Sequence, residues 1–437
     1  LPIDESKISS YKLNNNYDIA FYDTPQNSNA KANIIYTPKN PIEGKPGVEI
    51  LLTRMLKDKT ANKDVDVFGD YLDRNNLSQS ISVKQGGKIE INGKMPANNI
   101  QNFINITQEQ LMMPNFDEAT FNKQKNIVKE ILTHSEPDAK EGIYKAMYPN
   151  STFGYTTKDI LDNIDNVSLN DVKDYYSQIM ANSSATVAVA APMADRKVQN
   201  SVLNSFARMP KVQQNQPKLY ELHKPMEKSQ VVTKEAPHSQ AEIMQAYSFK
   251  ETGNIKDNVT FALMTGILSK GKTTGLFNNL REKEKLAYAV NSVYTGDGDN
   301  SYVVCNILTT TDNKDTGEHT YDNVQKSING FTNQINKMKN GEFTDKELEI
   351  VKKEFKDELR TSAYGQKHIA QIVSSGQNSP YGTNRANEKY KAIDSITRED
   401  IQKAAQYVFG GKPVYSIVAS KDTLDANKEF LAGLENS

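Results

Sequence analysis

The chain has 437 residues, 37 % hydrophobic and 24 % charged, with 53 basic and 54 acidic residues balancing to a net charge of −1. That length exceeds one ordinary core and predicts two domains of roughly 200 residues. No apolar run approaches the roughly 18–20 residues of a membrane span, and the evenly mixed charge gives no field for steering nucleic acid. The single cysteine, Cys305, excludes an internal disulfide and any thiolate metal cluster. It leaves the compartment open; an exported or periplasmic location is preferred to a cytoplasmic one, since exported bacterial proteins often lack disulfides. The start at Leu1, with neither methionine nor a signal-like apolar segment, fits a mature product or an excised half of something longer.

In chain order, strand patterns over Asp18 to Tyr36 and Ser80 to Ile91 flank the segment Gly47 to Leu56. Phe116-Asp117-Glu118 then leads into a helix through Leu132. At Ile164 to Val172, Ser168 is placed to cap a helix that has Asp171 in its first turn and carries tyrosines. The apolar strand Ala185 to Ala190 follows. Phe206 to Ser229, rich in Pro, Gln and Lys, has no sustained periodicity and reads as the domain boundary.

The second half repeats the plan. Strand regions at Ile243 to Phe249 and Tyr288 to Leu308 precede a helix from Phe343-Thr344-Asp345 through Leu359; Thr295 to Asn300 is placed as a hairpin turn. Ile393 to Ile401 mirrors Ile164 to Val172, with Thr397 in the capping position, and the strand Val414 to Ala419 closes the copy. Pairing Phe116 with Phe343 and Ile164 with Ile393 gives offsets of 227 and 229 residues, so the repeats are collinear. The expected organisation is two homologous α+β domains, 1–210 and 229–437, joined by a linker over 211–228. Each holds a mostly antiparallel sheet packed with helices.

Residues 275–290 are the most distinctive stretch. A polar loop, Ser269 to Thr274, feeds a short amphipathic helix carrying Leu276, Phe277 and Leu280; Arg281 follows, and seven residues later Tyr288 opens an alternating strand. Taken alone, Arg281 is a surface charge in an Arg-Glu-Lys-Glu-Lys run and Tyr288 a half-buried strand aromatic. Just upstream, Gly266 to Thr273 matches the phosphate-loop pattern Gly-x4-Gly-Lys-Thr. That motif needs a strand before it, and Phe261, Met264 and Leu268 have helical spacing instead. The match is therefore read as coincidence.

The Gly-Leu-Phe-x-x-Leu-Arg-Glu-Lys and Leu-Ala-Tyr signature resembles the second domain of insulinase/pitrilysin-type zinc peptidases, which include the mitochondrial processing peptidases. The resemblance covers nearly the whole chain through a few short motifs. It implies duplicated α+β domains and assigns Arg281 and Tyr288 to binding the substrate carbonyl. In catalytic members the first domain carries His-x-x-Glu-His on a helix after a glycine, with a further glutamate about 76 residues on. Histidines four apart share a helix face and can ligate one ion, while the intervening glutamate serves as general base. Here the matching segment, Gly47 to Leu56, has Ile50, Thr53 and Arg54 at those positions. Ile50 has no lone pair, Thr53 is no base near neutral pH, and Arg54 places a permanent cation where the metal would sit. Glu130 alone keeps the family's residue type. None of His134, His223, His238, His319 and His368 has a second histidine within five residues. No zinc or other cofactor is expected on this chain.

The leading functional reading is a non-catalytic half or subunit of a two-part zinc peptidase. It would help enclose a chamber and supply Arg281 and Tyr288 to a zinc-bearing partner, either a separate subunit or an N-terminal half of the same polypeptide. A purely structural family member with no part in proteolysis is the alternative. An autonomous peptidase and a nucleotide hydrolase rank below both.

Overall fold

Eleven stretches with strand patterning pair into two sheets in a computed structural model, which describes residues 1–217, 226–251, 253–296, 301–364, 366 and 368–437. In chain order the first six are β1 (Ile8–Lys12), β2 (Asp18–Asp23), β3 (Asn29–Pro38), β4 (Ser78–Val83), β5 (Ile89–Pro96) and β6 (Ser183–Ala191), arranged β1-β2-β6-β3-β5-β4. The remaining five are β7 (Gln230–Glu235), β8 (Gln240–Ser248), β9 (Ala289–Thr295), β10 (Tyr302–Thr310) and β11 (Val414–Ala419), arranged β7-β11-β8-β10-β9. In each sheet one pair is parallel, β2 with β6 and β7 with β11; every other pair is antiparallel. Without β1, strand order and direction are the same in both sheets. The α+β class read from the sequence is the observed one.

Both expected helix starts form as full capping boxes. Ser168 Oγ accepts from Asp171 N and Thr397 Oγ1 from Asp400 N, while each aspartate reaches back to its capping residue's N–H. The strand Val414–Ala419 has the expected bounds. Of the expected hairpin turn, residues 297–300 lie outside the described residues; β9 and β10 on either side pair antiparallel, Thr295 opposite Tyr302.

The chain divides into two compact units: Leu1–Ser135 with Ser151–Lys218 and Leu359–Asn387, and Glu136–Asn150 with Leu219–Glu358 and Glu388–Ser437. The division near residue 218 lies inside the expected linker. Two segments, 136–150 and 359–387, join the unit other than the one that contiguous domains would give them.

In the first unit, the helix Val48–Leu56 packs Leu51, Leu52 and Met55 against Ile34, Ile81, Ile89 and Ile91. The helix Ile369–Gln377 covers the other face, burying Ile369, Ala370 and Val373 with Ala20, Tyr22, Ala188 and Ala190. In the second unit, the helix Ala139–Met147 takes the corresponding place, burying Ile143 and Ala146 with Met244, Ala246, Val304, Val414 and Val418. Ala139 N donates to Glu242 Oε1 at 2.8 Å, and Ser416 Oγ donates to Ala139 O at 2.6 Å.

The expected linker is not free along its first part. Val212 N donates to Asn15 O, Gln213 N to Ser183 O, and Asn215 Nδ2 to Asp18 Oδ2 and Gln377 O. Residues 218–225 of it, including His223, lie outside the described residues.

Candidate functional site

The first unit's helix Val48–Leu56 begins after Gly47, whose φ of +98° is in the left-handed region natural to glycine. Ile50 is a partly buried side chain packed on the core. Thr53 Oγ1 donates to Glu49 O at 2.9 Å and accepts from Val83 N at 2.9 Å, tying the helix to β4. Arg54 Nε donates to Gln124 Oε1 at 2.9 Å. Glu130 lies on the helix Glu118–Thr133 with its side chain 78 % exposed, 3.5 Å from His134 Nδ1. These groups do not fit a zinc ion: the helix offers a hydrocarbon, a hydroxyl already used by the backbone, and a cation. Among the described residues no group of three or more His, Cys, Asp and Glu is disposed to hold a metal.

Sequence reasoning passed over Glu49, which the structure buries to 6 % exposure. The Thr152 hydroxyl and Tyr175 OH (3.2 Å) both donate to its Oε1. Burial pushes its pKa upward, against the hydrogen bonds from Thr152 and Tyr175. Helical spacing was the available signal, since Glu49 shares a face with Leu52 and Leu56.

The 16-residue helix Ile255–Lys270 includes Ser269 and Lys270, so the loop there is shorter than expected. Gly266 lies inside this helix, and no strand leads into Gly271-Lys272-Thr273. Thr273 N faces Glu347 Oε2 at 3.4 Å, so a carboxylate stands where a phosphate would be required. The loop does not have phosphate-loop geometry.

The next segment, Phe277–Lys283, is a π-helix rather than an ordinary amphipathic turn. Leu276 and Leu280 are fully buried and pin it down. Asn279 Nδ2 donates to Thr273 O, Gly275 O and Gln334 Oε1, holding the loop to its neighbour helix. Phe277 stays 41 % exposed, and the Arg281 guanidinium carbon lies 5.1 Å from the centre of its ring. Leu286 N and Ala287 N both donate to Leu280 O, closing the turn before Tyr288. Tyr288 N donates to Leu308 O at 2.8 Å, which fixes the backbone while the side chain stays 67 % exposed. Arg281 and Tyr288 therefore flank one rigid turn of the second unit and both reach solvent. β9, which Tyr288 precedes, is the terminal strand of its sheet. Ile50, Thr53, Arg54 and Glu130 belong to the first unit.

Residues 166–355 match the family model of the peptidase M16 inactive domain, a stretch that holds Arg281 and Tyr288 and excludes Ile50, Thr53, Arg54 and Glu130. Over that stretch the chain carries a peptidase M16 inactive domain. No curated protein matches its sequence. Among solved structures it is similar to a peptidase M16 inactive domain from Pseudomonas fluorescens, at TM-score 0.80 and 16 % identity, covering 95 % of this chain and 98 % of that one. A protease from Helicobacter pylori superposes at TM-score 0.78 with 17 % identity, over 94 % of this chain and 99 % of that one. The ferredoxin protease FusC, solved as a point mutant in complex with Arabidopsis ferredoxin, superposes at TM-score 0.73 with 12 % identity, over 95 % of this chain but 45 % of that one. At these identities the likeness establishes the fold alone.

Proposed function

We propose that this chain is the non-catalytic half of a two-part zinc peptidase, built from a duplicated α+β domain, and that it holds the substrate peptide for a zinc-bearing partner. The partner is a separate subunit or an N-terminal half of the same polypeptide. The observation that carries the reading is the contrast between two places. The helix at Ile50, Thr53 and Arg54 has no donor set for a metal, yet the turn at Arg281 and Tyr288 is braced by buried Leu276, Leu280 and Asn279 and keeps both polar tips in solvent. A guanidinium and a phenol O–H are strong donors toward a peptide carbonyl. The terminal strand β9 supplies an edge along which an extended peptide can add as a further strand. A fold match covering 45 % of the ferredoxin protease's chain supports a half-molecule role.

The test is reconstitution with the zinc-bearing half. Cleavage should require both parts and fall about a hundredfold or more in Arg281→Ala or Tyr288→Phe, as when one oxyanion donor is lost. Cleavage unchanged by either substitution would favour the purely structural alternative.

A further inference from the structure

The outer edge of β9 is not open along its whole length. β9 pairs with β10 alone, so its far side faces no strand. At Ser292 that side is filled from the helix Ile255–Lys270. Ser269 Oγ accepts from Ser292 N at 2.7 Å and donates to Ser292 O at 3.2 Å, so one hydroxyl takes the place of a neighbouring strand's C=O and N–H. Ser292 Oγ in turn donates to Thr265 O at 3.0 Å, one turn earlier on the same helix. Ser292 is 9 % exposed, and a further strand would reach its main chain only by displacing the helix end.

The first unit repeats the arrangement. Thr53, on the helix Val48–Leu56, accepts from Val83 N at 2.9 Å and stands 3.4 Å from Val83 O, at the end of the terminal strand β4. In each unit a helix beside the terminal strand thus offers one hydroxyl to the main chain of one residue. Main-chain groups alternate along a strand between its partner and its free side. The N–H and C=O of Val290, two residues before Ser292, therefore face outward as well. Among the described residues no group outside the sheet bonds them. Val290 is also two residues from Tyr288, so the open stretch of edge adjoins the turn that carries Arg281 and Tyr288.

We infer that Ser269 is a positioning residue for the bound peptide: it stops strand addition at Ser292 and so sets the register in which an extended peptide meets Arg281 and Tyr288. This rests on the proposed carbonyl-holding role of that pair. A peptide residue pairs with Val290 through its own N–H and C=O. Pairing does not continue toward Tyr294, because the Ser269 hydroxyl already satisfies Ser292. A slip of one residue turns every side chain of a strand to the other face, so the smallest slip that preserves the faces is two residues. With Ser292 closed, that slip has no rung to move to, and a carbonyl beside the Val290 rung stays at the Arg281–Tyr288 turn.

Anisotropy titration of the whole chain tests this with a short fluorescein-labelled, C-terminally amidated Val/Thr-rich peptide and the same peptide extended at its N- or its C-terminus. Neither extension should tighten binding to the wild type. Ser269→Ala frees the main chain of Ser292 and keeps the helix, since alanine favours it; one extension should then bind about tenfold tighter, the worth of one or two hydrogen bonds. Ser269→Thr keeps a hydroxyl and should restore equal binding, whereas a merely structural role would change all three peptides alike. In the unliganded chain, the Ser292 amide should exchange with solvent faster in Ser269→Ala than in the wild type. An extension that tightens binding to the wild type as much as to Ser269→Ala would overturn the stop, and Arg281-dependent binding of the short peptide would still uphold the carbonyl-holding pair. No binding of the short peptide, or binding unaffected by Arg281→Ala, would overturn that pair and the register with it.

Discussion

At the level of single residues, burial decides which polar groups are inert and which are poised. Glu49 is the clearest case, with burial raising its carboxyl pKa against the opposing hydrogen bonds. A carboxyl whose folded pKa lies above its unfolded value binds its proton more tightly in the native state. Its contribution to stability is therefore complete below the unfolded pKa and is lost as pH rises through the folded one. Denaturation midpoints measured from acid toward neutral pH should show that loss, and Glu49→Gln should lack it; a wild-type profile parallel to that of the variant would contradict the assignment. Tyr288 is the opposite case. Its ring is 67 % exposed and its main chain makes the structural bond to Leu308. Tyr288→Phe should leave unfolding free energy within about 0.5 kcal/mol of wild type, so any effect on peptide handling reads the hydroxyl and not the fold.

The elements show where sequence reasoning reached and where it stopped. Capping at Ser168 and Thr397 was legible because a hydroxyl followed three residues later by an acid is a local code. The sheet to which each helix adds was not. The helix Ala139–Met147 has a buried stripe, and periodicity says that such a stripe is covered without saying by what. Its seat depends on Gly142: a Cβ there would stand 2.3 Å from Ser416 Oγ and 3.1 Å from Val232 Cγ1. Gly142→Val should therefore lift the helix off β11 and cost about 1–3 kcal/mol, read as a lower urea midpoint. On β5, a Cβ at Gly93 would stand 2.2 Å from Phe103 Cε2. Gly93→Ala should destabilise by a similar amount, with Phe103→Leu recovering part of the loss; full stability in the single variant would show that Phe103 has room to move. The π-helical form of Phe277–Lys283 was also beyond local reading: Leu276 and Leu280 are buried and Asn279 is tied to Gln334, 55 residues away.

For the whole molecule, the repeated strand order shows how far the internal sequence match extends. Apart from β1, both sheets share one topology, although only short motifs repeat at the level of residues. Of the candidate site, the lack of a metal donor set at Ile50, Thr53 and Arg54 was legible, because donor capacity is a property of residue type. The bracing of Arg281 and Tyr288 required register and burial. The proposed role is that of the non-catalytic part of a metallopeptidase. Zinc content and peptide cleavage of the purified chain, measured together after equilibration with excess zinc and gel filtration, test it most directly. Substoichiometric zinc with no cleavage is predicted, and one tightly held zinc per chain accompanied by hydrolysis would contradict it.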